Sequence, residues 1–266
     1  MSELAASGAS ALRLTFPSAL PAGAARLATF PELGRVALAA PLPLDALGEA
    51  EPDESALQVL HLPGGNAASV GARQAAEAWA VGEGGSIDLV LQSDRILWRP
   101  GRALVIGGDA DFETYLLGLA HFAAYEGEIR RLEARVGSWL RSAEEDIALT
   151  HEVGGEAVRR WPHVNAMTFA VTQARMTHVA IEGPLEHGPA ELPGLARRLF
   201  TELALRAEAA HRLKRVDEKI DVLSDLYELA NDRLSEYSYF RREYVLEALI
   251  IAVLVLEAAL LIYDIF

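Results

Sequence analysis

Leu213–Tyr263 reads LKRVDEKIDVLSDLYELANDRLSEYSYFRREYVLEALIIAVLVLEAALLIY, and two patterns share it. The first half repeats an apolar residue every three or four positions: Leu213, Val216, Ile220, Leu223, Tyr227, Ala230, Leu234 and Tyr237. That alternation is a coiled-coil seam. Arg215, Asp217, Glu218, Lys219, Asp221, Asp225 and Glu228 flank it and keep the outer face wet. The second half has no polar face. From Tyr244 to Tyr263 all twenty residues are apolar except Glu247 and Glu257, and Arg241 and Arg242 stand just before them. As a helix those residues extend about 30 Å, the thickness of a bilayer core. Such a run is expected to be a C-terminal membrane anchor or a buried helix of an oligomer.

The glutamates turn the anchor into a contest of magnitudes. Twelve of the twenty residues are Leu, Ile or Val. Together they favour insertion by about 5 kcal/mol, and a carboxylate near the helix centre opposes it by about 3 kcal/mol. A lone helix is therefore marginal. It needs protonated carboxyls, or carboxyls turned toward partner helices or water. Glu247 and Glu257 lie about 80° apart around a helix, so they share a side. Ala248 and Ala252 form a small-xxx-small pair that admits a neighbouring helix. Arg241 and Arg242 place the preceding chain in the cytoplasm by the positive-inside tendency. The expectation is a single-pass protein of the inner (cytoplasmic) membrane.

Working outward, a second helical pattern spans about residues 111–151, with Phe122, Tyr125, Ile129, Leu132, Val136, Trp139 and Ala143 three and four apart. It pairs naturally with the first as an antiparallel hairpin. The later helix is expected to start at Pro193, which suits a first turn, and to run unbroken to the end. Between them, Val171–Ile181 suits a strand or a helix; helix is preferred, ended by Gly183-Pro184 and His187-Gly188-Pro189. Residues 1–110 read as an α+β head. Strands are expected at Ala11–Phe16, Arg35–Ala39, Leu57–Leu62, Ile87–Gln92 and Ala103–Ile106, with a turn and short strand in Asp94–Gly101 and a helix over Asn66–Val81. The fold class is α+β: a head over 1–110, a helical hairpin and coiled-coil stalk over 111–243, and a transmembrane helix over 244–263.

Chemistry is sparse. The net charge is −14 and no basic patch interleaves with aromatics, which argues against direct nucleic-acid binding. There is no cysteine, so a thiol nucleophile and a thiolate metal site are excluded. The seven histidines form no i,i+4 pair and no HExxH. His151, Glu152 and His163 are the nearest approach to a ligand set, with Gly and Pro between them. Leu62-Pro63-Gly64-Gly65-Asn66 lacks the Lys-Ser/Thr of a P-loop and the spacing of a dinucleotide site. No GxSxG is present. The N-terminus MSELAASGASALRLTF lacks the basic start and apolar core of a secretory signal. No catalytic residue, cofactor or metal is expected.

Two helical motifs and the tail carry a family likeness. The first is Leu116-x-x-Leu-Ala-His-Phe-Ala-Ala-Tyr-Glu126. The second is Arg212-Leu-Lys-Arg-Val-Asp-Glu-Lys219. The tail runs Tyr244-Val-Leu-Glu-Ala-Leu-Ile-Ile-Ala-Val-Leu-Val-Leu-Glu257. Over roughly residues 111–266 the chain resembles, as a divergent bacterial-type member, the family named for being required for meiotic nuclear division. That family has bacterial and mitochondrial members. A Pro-Asp-x-x-Trp signature of the family is absent; Gly183-Pro184 and Leu192-Pro193 stand there instead. The resemblance implies a membrane-anchored homo-oligomer facing the cytoplasm or matrix, whose mitochondrial members support organelle translation as tethers. It brings no catalytic residues.

The function expected is a membrane-anchored oligomeric scaffold or tether that recruits a protein partner to the bilayer. An alternative is an ion-conducting homo-oligomer with a layout like that of CorA-type magnesium transporters, in which Glu247 and Glu257 line a shared axis. That is analogy of layout alone. A third is an enzyme in the head, for which no constellation stands out.

Overall fold

The computed structural model describes residues 4, 6–21, 24–47, 56–64, 69–81, 86–151, 154–155 and 157–265, with side chains to residue 259. The chain divides into two compact units: 1–134 with 176–216, and 135–175 with 217–266. The boundary falls within three helices.

The first unit is built on a seven-stranded sheet ordered β2-β3-β1-β4-β7-β6-β5. The strands are β1 (Ser10–Thr15), β2 (Arg26–Phe30), β3 (Arg35–Pro41), β4 (Ala56–Pro63), β5 (Ile87–Leu91), β6 (Asp94–Arg99) and β7 (Arg102–Gly107). Only β4 and β7 pair in parallel, and the crossover between them contains α1 (Val70–Val81), β5 and β6. All other pairs are antiparallel.

Period-two alternation gives the sheet two apolar faces. Leu60, Leu62, Leu97, Leu104 and Ile106 meet Ala72, Ala76 and Ala80 of α1. Those three alanines recur every four residues, so one stripe of small side chains lets the helix lie close on the sheet. The opposite face receives α2 (Asp109–Ser142). The Phe122 ring stands edge-on to Trp98 at 4.7 Å, and Tyr125 stands edge-on to Phe30 at 6.3 Å. The first two residues of the expected α2 seam thus serve the sheet. Phe200 of α4 (Gly194–Arg206) packs edge-on against both. Gly118 permits that approach: a Cβ there would sit 2.8 Å from the Ala196 carbonyl oxygen.

The helical expectations hold in type and shift in extent. Residues 171–181 lie in α3 (Trp161–His187), and Pro184 falls inside it, so Gly183-Pro184 does not end the helix. The end comes at Gly188, whose φ of 71° is the left-handed conformation that glycine adopts freely. The segment after Pro193 is two helices, α4 and α5 (Ala209–Ile265), and not one. Glu208 between them has φ 52°. A glutamate carries no sequence signal for that conformation, which is why no break is legible there. α2 gives way at Ser142 to a tighter 3-10 stretch, Ala143–Thr150. The strand Arg26–Phe30 was not expected from the sequence.

Candidate functional site

The residues singled out in the sequence all lie on the last part of α5. The seam before them is buried: Leu213, Val216, Ile220, Leu223, Tyr227, Ala230 and Leu234 are each at most 3% exposed. From Tyr239 to Ala259 every described residue is exposed. Ten large apolar side chains between Tyr244 and Leu256 are 54–73% exposed. Glu247, Ala248, Ala252 and Glu257 share that uncovered surface, and no described residue packs on the alanine pair.

Among the described residues no helix is long and apolar enough to cross a membrane. Their side chains end at residue 259, so the described part of the apolar run, 244–259, is sixteen residues. At 1.5 Å per residue that is about 24 Å, short of a core about 30 Å thick. The transmembrane segment expected over 244–263 is therefore not supported by the described residues.

At the base of this apolar sleeve lies an open groove of about 580 Å³, in the second unit. Val158 and Trp161 form one wall; Ser238, Arg241, Arg242, Val245 and Leu246 of α5 form the other. Trp161 is held in place by its indole N–H, which donates to Asn231 Oδ1 at 3.0 Å. Arg241 and Arg242 are exposed, and no carboxylate among the described residues pairs with either.

Two buried carboxylates anchor the helices: Asp146, whose place in the acidic run Glu144-Glu145-Asp146 suggests a solvated face that the fold does not give it, and Glu126, the last residue of the first helical motif. In the second unit Asp146 is 1% exposed. It accepts from Arg160 Nη2 at 2.5 Å, His163 Nε2 at 2.9 Å and the Tyr227 hydroxyl at 2.9 Å. Burial first, and Asp146 second, push the Tyr227 phenol well above its ordinary range, so it stays a neutral donor. The carboxylate is saturated, and the cluster fastens three segments of chain together. His163 gives its Nε2 to this cluster. Among the described residues no group of three or more potential ligands is placed to hold a metal ion. Glu152, weighed beside His151 and His163, lies outside the described residues.

In the first unit Glu126 is 2% exposed. It accepts from Arg130 Nε at 2.7 Å and from Arg212 Nη1 at 2.8 Å. The same Arg212 donates to Glu133 through Nε at 3.0 Å and Nη2 at 2.6 Å. One guanidinium thus bridges two carboxylates a heptad apart on α2. The hydrogen bond to Glu133 holds the Arg212 proton more firmly than usual, and that bond in turn lowers the Glu133 carboxyl below its ordinary value. A cleft of about 360 Å³ opens beside this cluster, lined in part by Glu126, Arg130, Arg206 and Arg212. Arg130 and Arg212 are already spent on carboxylates, and Arg206 donates to the Asp88 carbonyl at 3.2 Å.

Glu126 and Arg212 belong to the two helical motifs that carry the family likeness, and the fold joins them directly. Their separation of 86 residues hides the pairing from any reading of local spacing. An acidic residue inside an apolar helix pattern was the only available signal. No protein-family model matches the chain, and no curated protein matches it.

Proposed function

We propose that the protein is a membrane-anchored scaffold or tether, with the C-terminal part of α5 as its membrane-engaging element and the α+β unit as the part offered to a protein partner. The observation that carries this is the uncovered apolar sleeve from Tyr244 onward. Monomeric soluble proteins rarely expose contiguous apolar patches beyond a few hundred Å². Burying even part of ten such side chains is worth on the order of 10 kcal/mol. Lipid can cover a helix on all sides at once. In the sequence, Leu260 to Tyr263 extend the run to twenty residues, long enough to span a core about 30 Å thick. Unpaired Arg241 and Arg242 at its start suit the cytoplasmic boundary. On this reading the chain is a divergent member of the family required for meiotic nuclear division. An ion-conducting assembly remains the second reading; Glu247 and Glu257 on exposed helix surface are the observation that favours it.

Fractionation tests the anchor. The full chain is expected in the membrane pellet and extractable with detergent, while a version ending at Arg242 is expected in the high-speed supernatant. A full chain that stays in the supernatant without detergent overturns the proposal.

A further inference from the structure

We infer that the groove between Trp161 and the Arg241–Arg242 turn of α5 is a site for the anionic headgroup of a phospholipid. The inference rests on the membrane reading above and adds a defined ligand to it.

Three observations converge. The first is charge. Arg95, Arg130, Arg160, Arg175, Arg212 and Arg233 each pair with a carboxylate. Arg241 and Arg242 line a groove and, among the described residues, pair with none. In a chain of net charge −14, the groove is lined by two adjacent guanidiniums and, among the described residues, by no carboxylate. A phosphodiester is their natural partner, because a guanidinium can donate two parallel hydrogen bonds to it.

The second is the apolar surface continuous with those arginines. At about 100° per residue, Val245, Leu249, Ala252 and Leu256 continue the helix side that carries Arg241 and Arg242. Glu243 and Glu247 fall about 150° and 170° from the midpoint of the pair; they border Arg241 on its other flank, in a separate depression. An amphiphile whose phosphate sits on the arginines therefore finds an uninterrupted apolar stripe for its acyl chain. A soluble phosphate compound would leave Val245 and Leu246, which also line the groove, uncovered.

The third is the opposite wall. Trp161 and Val158 come from a different segment, so the groove is two-sided, and the Trp161 ring is fixed by Asn231. Tyr239, Phe240 and Tyr244 surround the same level of α5, each more than half exposed. Tyrosine and tryptophan rings, with their polar edges, collect at the headgroup level of bilayers, which applies to Trp161, Tyr239 and Tyr244. Ser238 also lines the groove, its hydroxyl donating to the Ser235 carbonyl at 2.9 Å.

The test uses the full chain in mild detergent, with phosphatidylglycerol or phosphatidylcholine supplied as the only lipid. Retained lipid is counted by native mass spectrometry as detergent is stripped away. Wild type is expected to retain phosphatidylglycerol over phosphatidylcholine by roughly fivefold for each arginine engaged. Arg241→Gln with Arg242→Gln, both on exposed helix surface, should bring the ratio to about one. Val158→Glu should do the same with both arginines intact, because it places a carboxylate in the opposite wall. If Val158→Glu keeps the wild-type ratio while circular dichroism shows it folded, the attraction belongs to the arginines in general and the groove is not a site. Equal retention of both lipids by wild type overturns the inference. So does displacement of phosphatidylglycerol by water-soluble glycerol phosphate, which would identify a soluble ligand. A chain that remains in the supernatant during fractionation defeats the membrane reading itself, whereas a pelleting chain without headgroup preference defeats only this inference.

Discussion

Arg212 shows how much one side chain can bind together. Its fork holds Glu126, which is buried, and Glu133, which is one-third exposed. Removing it leaves Glu126 with Arg130 alone, so Arg212→Met is expected to cost about 2–4 kcal/mol. The pH dependence has a definite sign. The Glu133 pKa is lowered on folding from an ordinary 4.5, chiefly by the Arg212 hydrogen bond. Its stabilisation is therefore complete above that value and is lost as pH falls below about 4.5 through the lowered folded pKa. Urea denaturation between pH 7 and 3 should show wild type losing stability over that window, with a shallower slope for Arg212→Met. Parallel pH profiles would reject the linkage. His121 adds a second acid-sensitive group, because burial pulls its pKa below the usual 6.5, with Glu191 opposing. Protonating it as pH drops below that value works against folding. None of these pairings is legible in the sequence, where Glu126, Glu133 and Arg212 look like ordinary charged positions.

α5 changes character along its length, and the sequence shows this well. Its first half is one-sided, and the seam read from spacing is the buried set, from Leu213 to Leu234. Ile220→Asp places a charge at a fully buried position and is expected to cost more than 3 kcal/mol or to unfold the second unit. Val222→Asp, two residues on at 55% exposure, should change stability by about 0.5 kcal/mol or less. Thermal melts of the two variants check this; similar melting temperatures would show that the seam is not the packed face. Strand positions were legible where apolar alternation was strong, as in Leu57–Leu62 and Ala103–Ile106. Arg26–Phe30 escaped because RLATF is short and offers only partial alternation. The breaks escaped for another reason. Glu208 adopts a left-handed conformation with no glycine to announce it, and the helix runs through Pro184, whose missing N–H and ring ordinarily end one.

At the scale of the whole molecule the uncovered sleeve calls for company. Its energetics for a lone helix are marginal, since two glutamates offset much of the apolar gain. We predict a homo-oligomer in which Glu247 and Glu257 face partner helices or water. Light scattering in mild detergent should give a mass of two or more chains, and the version ending at Arg242 should lose self-association. A wild-type monomer would sink this. The sequence by itself determined what depends on near neighbours: helix, strand, buried seam and apolar tail each follow from spacing over a few residues. The tertiary structure alone decided the strand order, the diversion of Phe122 and Tyr125 to the sheet, and the partners of Asp146 and Glu126. It also brought Trp161 to the arginines of α5. Trp161–Asn231, Glu126–Arg212 and Asp146–Tyr227 join residues 70, 86 and 81 positions apart. Their choice rests on which apolar faces and charges can be satisfied together, and no local pattern encodes that.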